Sequence, residues 1–194
     1  MAKAARDYSA RRQKLTAEEF AALGDLGPCE LIRGEIVAMS PTRRPHGRVT
    51  HRIDRILGNF VEAHDLGEVY VGEVGVQTER GEDTVRGADI AFCPWPEVPS
   101  EEAEESETWM APPALIVEVV SRHDTPRDLD RKVQEYLQVG VKRVWIVDER
   151  NRTVQVHRAD GTSELLTEAA ILTGEEILPG FEVPVAELFR RRRG

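Results

Sequence analysis

The sequence has few cysteines, few aromatic residues and no long apolar run. The two cysteines, Cys29 and Cys93, lack the spacing of a metal-binding pair, and we interpret them as reduced, structural thiols. No apolar stretch approaches the length of a membrane span, and the first residues lack the apolar core of a signal peptide. We therefore expect a cytoplasmic protein with no membrane contact.

The formal net charge of −9 argues against a protein whose whole surface binds nucleic acid. The acidic residues are concentrated in "EEAEESE" (101–107), whose five glutamates account for the difference between −9 and −4. Both ends are basic, with a tail over 1–14 and a second over 190–194. Such runs are usually solvated, and a role of either tail in nucleic-acid binding remains an alternative.

The periodicity of apolar residues predicts a single mixed domain, α/β or α+β, over 15–189, with a central sheet. The predicted elements are a helix over 17–23, a hairpin that turns at 33–34, a helix over 46–63, a strand over 67–79 and a short strand near 86–94, a strand over 114–120, a helix from 126 to about 139, two or three strands over 143–166, and a final helical turn. The acidic segment 97–111 shows no periodicity and is interpreted as a surface loop.

Glu118 is a carboxylate in the apolar strand "LIVEVV". It could be solvent-exposed, it could form a structural ion pair, or it could be functional. Its own face of the strand also carries Ile116 and Val120, which argues against simple exposure. An unpaired buried carboxylate costs several kcal/mol, so we expect Glu118 to be paired or to coordinate a cation.

Asp89 in "VRGADIAF" enters the preceding strand, where aspartate is a poor strand former and is often a turn residue. Two acids on neighbouring strands would form an oxygen site of the kind that Mg²⁺ or Mn²⁺ prefers.

Lys132 lies at the edge of the apolar stripe of the next helix, whereas Arg131, Glu135 and Gln138 are predicted to point away from the core. A lysine at such a boundary usually extends its ammonium group to solvent. Because this helix directly follows the Glu118 strand, Lys132 could instead reach the end of that strand. A cation beside metal-binding carboxylates suits phosphodiester hydrolysis.

Several motifs in a fixed order carry a resemblance: "ELIRGEIVAMSP", His46 at the start of a helix, "RGAD", "PPALIVEVVS" and "DLDRKVQEYLQVGVKRVWIVDE". Together they resemble the Uma-two family of "putative restriction endonucleases" in the PD-(D/E)XK nuclease superfamily, from about residue 15 to 189. The resemblance implies a restriction-endonuclease-like core, a mixed sheet flanked by helices, with acids at the sheet edge that hold one or two Mg²⁺ ions.

The resemblance also assigns site residues. Asp89 and Glu118 correspond to the two acids of the motif, and the backbone carbonyl of Val119 would be a further metal ligand. The motif places its lysine two residues after the second acid, where this chain has Val120, and Lys132 would replace it from the helix. A second departure is Ala88, where the motif often has proline.

Two more residues match recurrent positions of the family. Glu30 would act as an outer acid through water, or it could be a salt-bridge partner in the hairpin. His46 would lie next to the metal or a phosphate, or it could be a helix cap or a surface residue.

These observations lead to two hypotheses. The first is a Mg²⁺- or Mn²⁺-dependent endonuclease that hydrolyses DNA phosphodiester bonds through a metal-activated water. The second is a nuclease-fold module that binds nucleic acid or protein without cleavage, which the acidic composition favours. A homodimer is an expectation of the first hypothesis, because enzymes that cut both strands often pair two identical sites.

Overall fold

The computed structural model describes residues 14–81, 83–95, 97–98, 100 and 111–191. In this part of the chain the helices are α1 (Ala17–Ala22), α2 (Arg44–Ala63), α3 (Pro126–Gln138) and α4 (Val185–Phe189). The strands are β1 (Cys29–Ile32), β2 (Glu35–Ala38), β3 (Gly67–Glu79), β4 (Thr84–Pro94), β5 (Leu115–Val119), β6 (Arg143–Asp148), β7 (Thr153–Arg158), β8 (Ser163–Leu166), β9 (Ile171–Thr173) and β10 (Glu182–Pro184). The predicted mixture of helices and strands is confirmed.

Eight strands form one large mixed sheet with the order β2-β1-β4-β5-β6-β7-β8, and β3 also pairs with β4. Strands β5 and β6 run parallel, because α3 crosses over between them, and the other strand pairs are antiparallel. Strands β9 and β10 form a separate two-stranded sheet. The carboxyl ends of β5 and β6 therefore lie at the same edge of the large sheet.

The two long helices cover opposite faces of this sheet. Helix α2 buries a stripe at helical spacing, Val49, Ile53, Leu57 and Val61, against β4, β5 and β6. Helix α3 buries Val133 and Tyr136 in a second apolar cluster, formed by the other face of the sheet. The centre of the sheet is covered on both sides, and β5 is buried along its whole length.

Local sequence signals explain where these elements begin and turn. Arg33 and Gly34 have φ angles of 50° and 76°, the left-handed geometry that a two-residue hairpin turn requires. Thr125 accepts a hydrogen bond from the backbone N–H of Asp128 and caps α3, as predicted. Asp148 accepts bonds from Arg150 and Asn151 and shapes the turn after β6.

Two expectations from the sequence were wrong. The strand that contains Asp89 is not short, because β4 has eleven residues and continues through Arg86 and Gly87. The strand tolerates a buried arginine because Glu30 and Glu135 neutralise it. Glu135 accordingly points inward and is buried, instead of away from the core.

Most of the predicted acidic loop at 97–111, and all of "EEAEESE", lies outside the described residues, as do residues 1–13 and 192–194. None of the helices in the described ranges has the length and apolar character needed to cross a membrane.

Candidate active site

The site lies at a fork in the large sheet. Strand β3 occupies one edge of β4, and the other edge is shared: β1 pairs near Val85, and β5 pairs from Ile90 onward. The segment of β4 between these two contacts, residues 86–89, faces the gap between β1 and β5. The side chains that border this gap come from β1, β4, β5 and the helices α2 and α3.

Glu118 enters the site from β5 with only 5% of its surface exposed. The hydroxyl of Tyr136 donates to its Oε1 at 2.7 Å, and the Lys132 Nζ lies 3.3 Å from its Oε2. Burial raises the pKa of Glu118 to about 7, and the nearby Asp89 carboxylate adds to this effect, whereas Lys132 and Tyr136 oppose it. The charge of Glu118 is therefore only partly compensated by its protein partners.

Asp89 lies on the β4 side of the gap and is also buried. Its Oδ2 accepts a hydrogen bond from the Val119 backbone N–H at 2.8 Å, which connects β4 to the end of β5. The same oxygen lies 3.3 Å from Nε2 of His46, the third residue of α2. The contact with Asp89 raises the pKa of His46, and hydrogen bonding to the Val119 backbone contributes to the same shift.

Glu30 is part of a buried ion network beneath these two acids. It accepts hydrogen bonds from Arg86 Nη1 at 2.9 Å and from the Gly87 backbone N–H at 3.2 Å, and it forms an ion pair with Lys132 at 3.1 Å. Arg86 is also held by Glu135, at 2.6 Å and 3.0 Å. The network fixes Lys132 between two carboxylates. Burial alone would lower the pKa of Lys132, but Glu118 and Glu30 outweigh burial and raise it.

Glu73 approaches the same region from a β-bulge in β3, where the pairing with β4 shifts between Val71 and Val74. Its φ angle of 61° is uncommon for a residue with a side chain. Its carboxylate lies above Gly87, where an added Cβ would be only 2.7 Å from Oε2 of Glu73. Partial burial raises the pKa of Glu73, and the Asp89 carboxylate raises it further.

The structure thus brings together all five residues that the sequence singled out: Asp89, Glu118, Lys132, Glu30 and His46. Glu30 forms its salt bridges with Arg86 and Lys132 and not within the hairpin. His46 contacts Asp89, so it is neither a helix cap nor a simple surface residue.

Three other residues of the site were not predicted. Tyr136 lies at a core position of α3, and its helical spacing explains its buried ring but gives no indication of a role for its hydroxyl. Arg86 was not singled out, because the sequence predicts only a short strand around it. Glu73 is presented by a bulge, for which the adjacent Gly72 was the only signal in the sequence.

The donor atoms fit a small hard cation. Two buried carboxylates and the nearby Val119 backbone offer oxygen ligands, and Mg²⁺ commonly uses one or two carboxylates and keeps several waters. Glu118, with a pKa near 7, has charge left for such a cation to compensate. Among the described residues, however, no group of three or more His, Cys, Asp or Glu side chains is arranged to hold a metal. Within the described ranges, the Lys132 ammonium group contacts Glu118, and the His46 ring, a cation when protonated, contacts Asp89.

Comparisons with known proteins identify a family and a shared fold. The family model Uma2, described as "Putative restriction endonuclease", matches residues 17–186. A crystal structure described as a putative nuclease belonging to DUF820, from Anabaena variabilis, matches with a TM-score of 0.78 and 20% sequence identity. The match covers 90% of this chain and 97% of that chain, so the two share a fold. No curated protein matches the chain.

Proposed function

Because the chain belongs to the Uma2 family, described as "Putative restriction endonuclease", we propose that it is a metal-dependent endodeoxyribonuclease. In this proposal Asp89, Glu118 and the Val119 carbonyl hold Mg²⁺ or Mn²⁺ at the fork between β1 and β5. The observation that carries the proposal is Glu118, a buried carboxylate with a raised pKa that faces Lys132 and has Asp89 close by.

Each protein group has a distinct task in this reaction. When bound, the metal ion would activate a water molecule and stabilise the leaving oxygen of the phosphodiester. Tyr136 and Lys132 hold the Glu118 carboxylate in one orientation, and the Val119 N–H does the same for Asp89. The ammonium group of Lys132 orients the attacking water and offsets negative charge that develops on the phosphate.

Glu30, His46 and Glu73 have supporting tasks. Glu30 keeps Lys132 charged and in place through their 3.1 Å contact. His46 positions Asp89 and borders the place where a phosphate would enter. Glu73 adds negative potential above Gly87, which favours the accumulation of divalent cations at the fork.

One observation favours the second hypothesis, a nuclease-fold module that binds nucleic acid or protein without cleavage. Both central acids already have protein cations beside them, Lys132 at Glu118 and His46 at Asp89. Such contacts would stabilise the fork without any metal. We prefer the enzyme, because a binding module has no need for a buried carboxylate that burial destabilises.

A cleavage assay distinguishes the two functions. We expect purified protein with Mg²⁺ or Mn²⁺ to cut plasmid or single-stranded DNA, and Glu118→Gln to lower the rate by about 100-fold or more. Glu68→Gln is the matched control, because it makes the same change in charge at an exposed position of β3. Equal rates in all three proteins would overturn the assigned site, and no cleavage by folded wild type would favour the binding module.

The proposal includes two expectations from the sequence about the protein's setting. A cytoplasmic location would give it access to DNA. A homodimer would place two forks against the two strands of a duplex.

A further inference from the structure

A basic groove with a volume of about 660 Å³ runs along the exposed side of α2. Its lining includes six arginines, Arg44, Arg48, Arg52, Arg55, Arg190 and Arg191. Four of them come from α2, and the other two follow α4. This concentration of positive charge is notable on a chain whose formal net charge is −9.

The groove arises from the spacing of arginines in α2. Positions 44, 48, 52 and 55 recur at intervals of three and four residues, so they share one side of the helix. The buried stripe that contains Val49 and Ile53 lies on a different side. The apolar residues attach α2 to the sheet, which leaves the arginine side facing outward.

Carboxylates neutralise only part of this charge. Glu187 pairs with Arg52 at 2.9 Å and with Arg190 at 3.2 Å, and Glu149 pairs with Arg48 at 2.8 Å. In the part of the chain that the structure describes, two carboxylates thus pair with the six guanidinium groups of the groove.

Two of the arginines leave their donors open to a ligand. Arg44 and Arg55 are exposed, and neither has a carboxylate partner in the ranges that the structure describes. Planar guanidinium groups with free donors match the oxygens of phosphate groups.

Helix α2 contributes residues to both the groove and the candidate active site. His46, which contacts Asp89, is two residues from both Arg44 and Arg48, so its side chain projects from a different side of the helix than the arginines. Arg48 reaches Glu149, directly after β6, at the edge of the sheet where the parallel strand β5 ends with Glu118 and Val119. The pair with Glu149 therefore places Arg48 at the sheet edge at which β5 ends.

The length of the groove suits a nucleic-acid strand. Arg44 and Arg55 are eleven residues apart, which corresponds to about 16 Å along a helix that rises roughly 1.5 Å per residue. One strand of a duplex carries a phosphate about every 3.4 Å of axis, so this distance spans roughly five phosphates.

We propose that the groove binds the sugar–phosphate backbone of a nucleic-acid strand and holds it on α2, the helix that also supplies His46 to the fork. This inference rests on the proposed nuclease function and adds the surface that holds the substrate. It also reconciles an acidic protein with a polyanionic substrate, because the positive charge is concentrated along one helix.

The test separates binding from cleavage. Fluorescence anisotropy of labelled duplex and single-stranded DNA, in EDTA, measures affinity without metal and over a series of salt concentrations. We expect the double variant Arg44→Ala/Arg55→Ala to bind at least one of these DNAs roughly tenfold or more weakly. Its slope of log affinity against log salt should decrease by about 2, one for each lost phosphate contact.

Arg33→Ala/Arg80→Ala is the matched control, because both arginines are exposed at hairpin turns and neither lines the groove. The control should bind like wild type, and thermal melting should show that both double variants are folded. Equal affinity and salt slope in both double variants would overturn the groove assignment. The groove assignment would also be overturned if wild-type protein bound a glutamate-rich peptide but no nucleic acid.

Failure of the proposed function has a different signature. If the groove variants lose DNA binding but wild type never cleaves with Mg²⁺ or Mn²⁺, the groove stands and the nuclease assignment fails. If wild type cleaves and the groove variants cleave with unchanged KM, the nuclease stands and the groove fails.

Discussion

At the scale of single residues, the contacts of Glu118 account for a charged side chain in the apolar strand β5. Its neighbours along the strand are buried, and the residue itself is only 5% exposed, but Tyr136 and Lys132 contact both of its carboxylate oxygens. These partners are too few to offset burial fully, and the pKa of Glu118 rises to about 7. The site therefore has a carboxylate whose charge is costly in the absence of a further cation.

This raised pKa predicts how stability changes with pH. Because the folded pKa of Glu118 lies above its unfolded value, its contribution is fully present below about pH 4.5 and is lost as pH rises through 7. We expect the free energy of unfolding of metal-free protein to fall by up to about 3 kcal/mol over this window. Urea unfolding in EDTA at a series of pH values measures the change.

Glu118→Gln is the comparison for this experiment, because it removes the titrating group but retains most of the volume. The variant should lose most of the pH dependence. A smaller dependence should remain, since the pKa of His46 is also raised and acts in the same direction. An identical pH dependence in variant and wild type would contradict the account of Glu118.

The residues that could be predicted from the sequence were those that break a local pattern. Glu118 and Asp89 interrupt apolar strands, and Lys132 lies at the edge of an apolar helix stripe. Tyr136 fits its pattern, since an aromatic ring in a core position is ordinary, and the sequence gives no indication of where its hydroxyl points. Arg86 was missed because its two partners, Glu30 and Glu135, are distant in the chain.

At the scale of elements, the bulge in β3 presents a charged side chain at the fork. Glu73 has a φ angle of 61°, which glycine adopts at little cost and other residues adopt at roughly 1–2 kcal/mol. A strained residue that directs a carboxylate toward Gly87 and Asp89 is typical of a functional position.

We predict opposite effects of Glu73→Gly on stability and on activity. The variant should be as stable as wild type or up to about 1 kcal/mol more stable, because glycine relieves the strain. Cleavage should nevertheless decrease, because the acid is lost. Thermal unfolding and cleavage rates test the two effects, with Glu73→Gln as the variant that retains the strain. A gain in stability with unchanged cleavage by both variants would show that Glu73 has no role in the reaction.

The elements themselves were largely predictable, because their signals are local. Thr125, which caps α3, and the Arg33-Gly34 turn are both encoded by neighbouring residues. The length of β4 was not predictable from local signals, because its first half is polar. That half is held by pairing with β1 and β3, which are distant in sequence. The fork depends on the same distant pairings.

At the scale of the whole molecule, the distribution of charge matters more than its sum. The net charge of −9 argues against a protein whose whole surface binds nucleic acid. The structure concentrates arginines in a groove on α2, and the fold brings Arg190 and Arg191 beside them. The helical spacing of the arginines carries this signal in the sequence, beside the apolar spacing that predicts the helix itself.

The central claim is that the fork between β1 and β5 binds a divalent cation through Asp89 and Glu118. Metal binding tests this claim most directly, because it does not depend on finding the right DNA. Isothermal titration calorimetry with Mn²⁺ should show saturable binding to wild type and its loss in Glu118→Ala. Lys132→Met should still bind, since lysine is not a ligand. No binding heat with folded wild type, or unchanged binding in Glu118→Ala, would contradict the account.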